Sequence, residues 1–439
     1  MRIAVVGAGV AGLGAAWLLN KKHDVVVYES SRRLGGHACT VDITGDEAQI
    51  AVDVGFIVFN ERNYPNFVAL LDHLAVPTDA SNMSFAVSLD DGSFEYGGSA
   101  RNYLKQWRNS IRPSFWRMTH DIFRFNRVAP HLLAQPQNPD LTIGDFVRQL
   151  GLSDSFRDNY LAPMASCIWS TSPARALEFP AQAFVRFFDN HGLLTWRPQK
   201  TWRTVRGGSR SYVECLSNPL RTRLASGVVS VRRDGDGVTI RTSDGHWDRF
   251  ERVVMACHAD QAVQLLDDAD ARERAVLGRF AYAKNEVVLH GDTALMPRRR
   301  AIWSSWNYVA NSDEPNTLIK VTYWMNRLQK LETNQHIFVS LNPARDIAPT
   351  ATYGRFHFEH PIFNAATMQS QAELEDLQGT RDTYFCGSYC GYGFHEDALA
   401  AGLDVAERFG VVRPWVRPVA GRQPTSLVVP QNTKDVVSA

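Results

Sequence analysis

Cysteine is scarce and poorly spaced in this chain. The 439 residues hold six, Cys39, Cys167, Cys215, Cys257, Cys386 and Cys390, and no two stand in a CxxC pair. That spacing excludes a zinc ribbon or a disulfide framework and suits a reducing compartment, so no metal site and a cytoplasmic location are expected. Cys386 and Cys390 read as packing residues beside a glycine-rich loop. Charge of either sign is also missing in excess: 47 Lys and Arg against 46 Asp and Glu leave a net +1. This excludes a strongly basic nucleic-acid binder while leaving local patches open. No apolar run approaches the ~18 residues that would span a membrane. A strand starting at Arg2 leaves no room for a signal peptide, so the expectation is a soluble or peripheral protein. Oligomeric state is not indicated.

What is present starts at once. Arg2 to Val6 is a short apolar strand, GAGVAG follows at 7–12, and a helix-like run extends to Asn20. A second apolar strand, Asp24 to Tyr28, ends in Glu29. In a dinucleotide fold the first glycine, Gly7, makes the tight turn and Gly9 lets backbone amides approach a pyrophosphate. Gly12 lets helix and strand pack closely, with Ala11 between them, and the helix N-terminus offers partial positive charge. Glu29 stands about 20 residues on, where a carboxylate accepts ribose hydroxyls, with Ser30 beside it. At this length two domains are expected.

The next residues, Arg32, Arg33, Leu34, Gly35 and Gly36, form an RxGG turn directly after Glu29. GxGxxG, a terminal Glu and RxGG together resemble the FAD-binding signature of the flavin-containing amine oxidase and phytoene-desaturase superfamily. The resemblance implies that Arg33, Gly35 and Gly36 lie along the diphosphate of FAD and that Glu29 binds the adenosine ribose. His37 stands where the family often has a second arginine. It also implies that Gly55 and Phe56, in the stretch from Ile50 to Asn60 that reads as one apolar strand, line the cofactor, and that Val228 meets the adenine through its backbone. Asp53 in that stretch is read as a buried carboxylate in need of a partner. The stretch TYFCGSYCGYGFHEDALAAGL at 383–403 matches the family's C-terminal FAD motif: Gly387 at a strand end, then Gly393, Phe394, His395 and Ala398 where a helix N-terminus is directed at the flavin. That string resembles a bacterial group of predicted NAD/FAD-binding proteins, some relatives of which are flavin-dependent desaturases of methyl-branched acyl chains in furan fatty acid formation.

The implied fold is α/β: a discontinuous, Rossmann-like FAD-binding domain of the GR2 type with an inserted α+β substrate domain. FAD-binding pieces are expected at 1–77, 202–280 and 380–412, substrate pieces at 78–201 and 281–379, and a loosely ordered tail at 413–439. Strands are expected at 285–290, 302–308, 318–324 and 336–341, with Trp303, Trp306, Tyr308, Tyr323 and Trp324 forming one wall of a flat pocket or simply following strand propensity. Between Arg101 and Arg127, basic residues recur at Arg101, Lys105, Arg108, Arg112, Arg117, Arg124 and Arg127, interleaved with Tyr103, Trp107, Phe115, Trp116 and Phe123. Such a helix fits an anionic membrane surface, or is a solvated basic face over core aromatics.

The expected activity is FAD-dependent removal of hydrogen from an apolar substrate, most simply desaturation of a fatty acyl chain, free or phospholipid-bound. His395, Tyr392 and Glu396 are the candidates for the second hydrogen, with Glu396 equally able to cap the helix. Alternatives are a double-bond isomerase of unsaturated fatty acids, an amine oxidase, and a flavin-bound accessory subunit.

Overall fold

The computed structural model describes residues 1–45, 48–97, 103, 106–136, 138–194, 202–314 and 316–416. The strand Arg2–Val6 sits at the centre of a five-stranded parallel sheet, ordered Arg221–Arg223, Asp24–Tyr28, Arg2–Val6, Arg252–Met255, Thr383–Phe385. Its central strands are near-continuous apolar runs because both faces are covered. The helices Val10–Leu19 and His395–Glu407 cover one face, with Leu13, Leu18, Leu399 and Leu403 in a shared core. The three-stranded antiparallel sheet Val228–Arg233, Val238–Thr242, Trp247–Phe250 and the helices Ala259–Leu265 and Ala271–Leu277 cover the other.

A second sheet of seven strands runs in the order Thr352–Ile362, Ala281–His290, Phe338–Leu341, Val321–Trp324, Trp306–Ala310, Phe85–Leu89, Phe94–Gly97. All its pairs are antiparallel except that between Trp306–Ala310 and Phe85–Leu89. Helices between Trp107 and Asn190 pack on it, placing Phe115, Phe125, Phe156, Phe184 and Phe188 in one core with Val287 and Val339. Two stretches far apart in the chain therefore build one body. Between the two bodies lies a small sheet of Phe59–Asn60, Trp202–Val205 and Thr78–Ser81. Thr78 and Trp202, near which domain boundaries were expected, are paired to each other's strands within it.

Three local expectations are corrected. The stretch from Ile50 to Asn60 is not one strand: it breaks after Gln49–Asp53, where the Phe56 N–H bonds the carbonyl of His37. The strand expected from Ile302 starts only at Trp306, because the Asn307 side chain accepts from the Ser304 N–H and Ser304 Oγ bonds the carbonyl of Ile302. The tail is not loose where it starts. Arg413 is buried, paired with Glu407 at 2.6 Å and with Asp404 at 2.5 Å, and donates to Asn66 Oδ1 at 2.7 Å. Trp415 stacks on Trp17. Residues 417–439 lie outside the described residues. No helix among the described residues is long and apolar enough to cross a membrane.

Candidate active site

One cavity of about 990 Å³ opens between the two bodies, at the top of the range for ligand pockets. Its first end is backbone. Gly7 has φ +104° and lies so close to Ala256 that an added Cβ would meet that carbonyl oxygen at 2.8 Å. A Cβ on Gly12 would stand 1.9 Å from the Gly7 oxygen, so Gly12 serves strand–helix packing and does not line the cavity. Gly9 is different: nothing lies within 4 Å of where its Cβ would be, and that open space belongs to the cavity. The helix Val10–Leu19 starts there with no side-chain cap and no acidic residue in its first turn. Its leading N–H groups are thus left for a ligand, and they favour an anion.

The second loop closes on the first. The Gly35 N–H bonds the Ala8 carbonyl at 2.8 Å, and Gly35 and Gly36 take φ +104° and +59°. Glu29 accepts from Ala8 N–H and Ser31 N–H, both at 2.9 Å, and faces the cavity beside Ser30 and Val228. Arg33, largely exposed, also borders it. An uncapped helix start, a glycine with empty space beside it and a carboxylate at the strand end are what a nucleotide diphosphate requires. The residues present fit FAD.

Midway, Gly55 packs against the His37 carbonyl, and Phe56 stacks face to face on His395 with ring centres 3.8 Å apart and an 8° tilt. Tyr212 Oη lies 2.7 Å from His395 Nε2. Burial lowers the His395 pKa to about 3, so its ring is neutral at ordinary pH and a weak base. Gly387, Gly393, Phe394 and Ala398 line the same region. Asp53 is buried as expected of a residue needing partners, and it has them: Thr40 Oγ1 at 2.7 Å, Ser209 N–H at 2.9 Å, Ser209 Oγ at 2.8 Å and Gln329 Nε2 at 3.1 Å.

Two catalytic candidates lie off the cavity wall. Glu396 does not line the cavity; its carboxylate caps the helix Pro65–His73, accepting from Asn66 N–H and Nδ2 at 2.9 Å and from Phe67 N–H at 3.0 Å. Tyr392 also lies off the cavity wall, packed against the large core near Phe187.

The far end draws on the apolar stretches 166–173 and 179–188, which sequence alone reads equally as core or as a ligand channel, and on residues that the sequence did not single out, Met83, Phe85, Met164 and Leu341. Met83, Phe85, Met164, Cys167, Ile168, Phe187 and Leu341 form an apolar wall with Trp306 and Tyr323. Of the expected aromatic wall only those last two take part. Trp303 and Trp324 cluster with His336 outside the cavity, and Tyr308 is in the core. His360 was also missed. Asn285 Nδ2 donates to its Nδ1 at 3.0 Å, and Asn285 is itself oriented by Asn342 Nδ2 donating to its Oδ1 at 2.7 Å. A neutral His360 therefore carries its proton on Nε2. Its ring meets that of His37 edge-on at 5.2 Å. Burial lowers both pKa values, that of His360 to about 4. Among the described residues the lining holds two carboxylates, Glu29 at the nucleotide end and Glu359, which pairs with His258 and Lys284. Among the described residues the apolar wall carries no formal charge.

A family model described as flavin containing amine oxidoreductase matches residues 10–409. A protein of Mycobacterium tuberculosis named as a candidate flavin-containing monoamine oxidase, AofH, is 28% identical over 261 residues, 55% of this chain and 54% of its own length. The chain thus spans about half the length of that curated relative. Among solved structures, a putrescine oxidase redesigned at its cofactor site matches with a TM-score of 0.68 at 16% identity, over 93% of this chain and 98% of its own. A fatty acid isomerase from P. acnes that produces CLA matches with 0.67 at 16% identity, over 93% and 99%. At such identities the structural likeness concerns the fold.

Proposed function

We propose that this chain, which belongs to the flavin containing amine oxidoreductases, works as an FAD-dependent oxidoreductase that removes hydrogen from a fatty acyl chain. When bound, FAD supplies an acceptor for hydride from carbon. The observation that carries the substrate reading is the uncharged apolar wall of Met83, Phe85, Met164, Ile168, Phe187 and Trp306. Burying an ammonium there without a carboxylate costs several kcal/mol, as any unpaired charge does. A hydrocarbon chain incurs no such penalty and gains from each methylene buried, about 0.8 kcal/mol per CH₂.

The chain's own residues divide the work. Backbone at Gly9, Gly35 and Gly36 and the carboxylate of Glu29 hold the nucleotide, in this reading. Phe56, locked against His395, and the His37–His360 pair border the junction between the nucleotide end and the apolar wall. His395 acts there as a positioning residue, since its ring stays neutral and is tied to Tyr212. The wall excludes water from the reacting chain.

Incubation of the purified protein with a bacterial lipid extract, followed by mass analysis of the acyl chains, tests the reading. Loss of two hydrogens from an acyl chain supports it. An unchanged mass with a shifted double bond assigns an isomerase instead, and turnover of amines with unaltered lipids overturns it.

A further inference from the structure

The outer face of the helix Pro113–Val128 is built unlike the rest of the surface. Phe115, Met118, Ile122 and Phe125 are buried and, at 3.6 residues per turn, share one side. Trp116, Arg117, Arg124 and Arg127 fall on the other side. Trp116 is 48% exposed, and the turn before the helix adds Trp107 at 67% and Ile111 at 70%. These three belong to one patch, because Trp116 Nε1 donates to the Ser110 carbonyl at 2.8 Å. The indole N–H is thereby satisfied while its ring faces outward.

The arginines add charge to this patch. None of Arg108, Arg112, Arg117, Arg124 and Arg127 forms an ion pair among the described residues, whereas the next arginines along the chain, Arg148 and Arg157, do. The carboxylates close by are spent. Asp121 is buried and accepts from the Ser153 N–H at 2.9 Å, and Asp154 and Asp158 are held by Arg157. Arg101 and Lys105, expected in the same segment, lie outside the described residues. A protein of net charge +1 thus concentrates unpaired positive charge around exposed tryptophan and isoleucine.

We infer that this surface docks the protein on an anionic lipid bilayer, with the three apolar side chains entering the boundary between headgroups and acyl chains and the arginines meeting lipid phosphates. Both components are required. Tryptophan prefers that boundary, having an apolar ring and a polar edge. Basic residues alone suit any polyanion, but exposed apolar bulk between them finds a partner only where phosphate and hydrocarbon lie within a few ångströms of each other. The inference rests on the surface and not on the choice of substrate.

Co-sedimentation of the full-length, FAD-loaded protein with vesicles decides it. Vesicles of mixed phosphatidylglycerol and phosphatidylcholine should bind the protein at low salt, with binding falling as salt rises, and phosphatidylcholine alone should bind it weakly. Replacing Arg108→Gln, Arg112→Gln and Arg117→Gln together should lower partitioning roughly a hundredfold, and Trp107→Ser with Ile111→Ser should lower it independently. Both variants change exposed side chains, apart from the half-buried Arg112, and should keep the flavin spectrum. The inference is overturned if the parent ignores anionic vesicles at low salt, or if the arginine variant binds as the parent does. It is equally overturned if Trp107→Ser with Ile111→Ser abolishes self-association while leaving vesicle binding unchanged, which would make the patch a contact between copies.

Discussion

Gly9 and Gly12 stand three residues apart in one motif, yet the structure assigns them opposite failures. An added Cβ at Gly12 would stand 1.9 Å from the Gly7 oxygen and 3.1 Å from Ala256 Cβ, against 3.4–4 Å for ordinary contact. The neighbour is backbone and must move by well over an ångström, so Gly12→Ala belongs at the upper end of overpacking costs, about 3 kcal/mol. Gly9 precedes the helix at φ −72° and ψ 179°, a conformation open to any residue, with nothing within 4 Å of its Cβ. Gly9→Val therefore loses only the modest N-cap preference for glycine, about 1 kcal/mol, while filling the space left for the diphosphate. Two measurements separate the effects: thermal unfolding of the flavin-free proteins and flavin absorbance after gel filtration with excess FAD. Gly12→Ala should unfold at a clearly lower temperature. Gly9→Val should unfold close to the parent and retain no flavin. A Gly9→Val protein that keeps stoichiometric FAD would refute the placement of the phosphates.

Glu396→Gln should leave turnover unchanged and lower stability by about 1–3 kcal/mol, since an amide cannot accept the three N–H groups of Asn66 and Phe67 that the carboxylate holds; a loss of turnover at unchanged stability would return Glu396 to the catalytic set. Asp53 has its pKa raised from 3.8 to about 6, first by burial. Its ionisation therefore opposes folding: the contribution is full below the unfolded value and falls as pH rises through about 6, by on the order of 3 kcal/mol. Denaturant titrations across that window should show a slope that Asp53→Asn removes, and parallel profiles would contradict the assignment. Ile168→Asp places a carboxylate in the uncharged wall; it should cut acyl turnover at least tenfold, by the ~1.4 kcal/mol or more of burying a charge, with flavin content unchanged. Equal turnover by that variant would show that the acyl chain does not run along this wall.

The nucleotide end was legible because its signals are local. Strand, glycine turn, helix and acidic strand end follow one another within Arg2–Glu29, and each reports on its own backbone. Asp53 was legible as a problem, a carboxylate in an apolar run, though not its partners Ser209 and Gln329, which arrive from far along the chain. The same limit hid the His37–His360 pair, whose members come from the glycine loop and from the strand Thr352–Ile362. The apolar wall was legible only as an alternative, since the stretches holding Ile168 and Phe187 read equally as core and as a ligand channel. Glu396 was left open between catalysis and a cap on its own helix; it caps the helix Pro65–His73, which only the packing of distant segments brings beside it. The exposed face around Trp107 and Trp116 was legible in composition, and only burial on the opposite face of the helix showed that these rings are left outside.

In the proposed function the cavity presents an acyl chain, and not an amine, to FAD. Anaerobic mixing of the FAD-loaded protein with acyl lipids and, separately, with aliphatic amines reads this directly through bleaching of the flavin absorbance. The account predicts that acyl lipids bleach the flavin and amines leave it oxidised. Bleaching by amines, with acyl lipids inert, would contradict it.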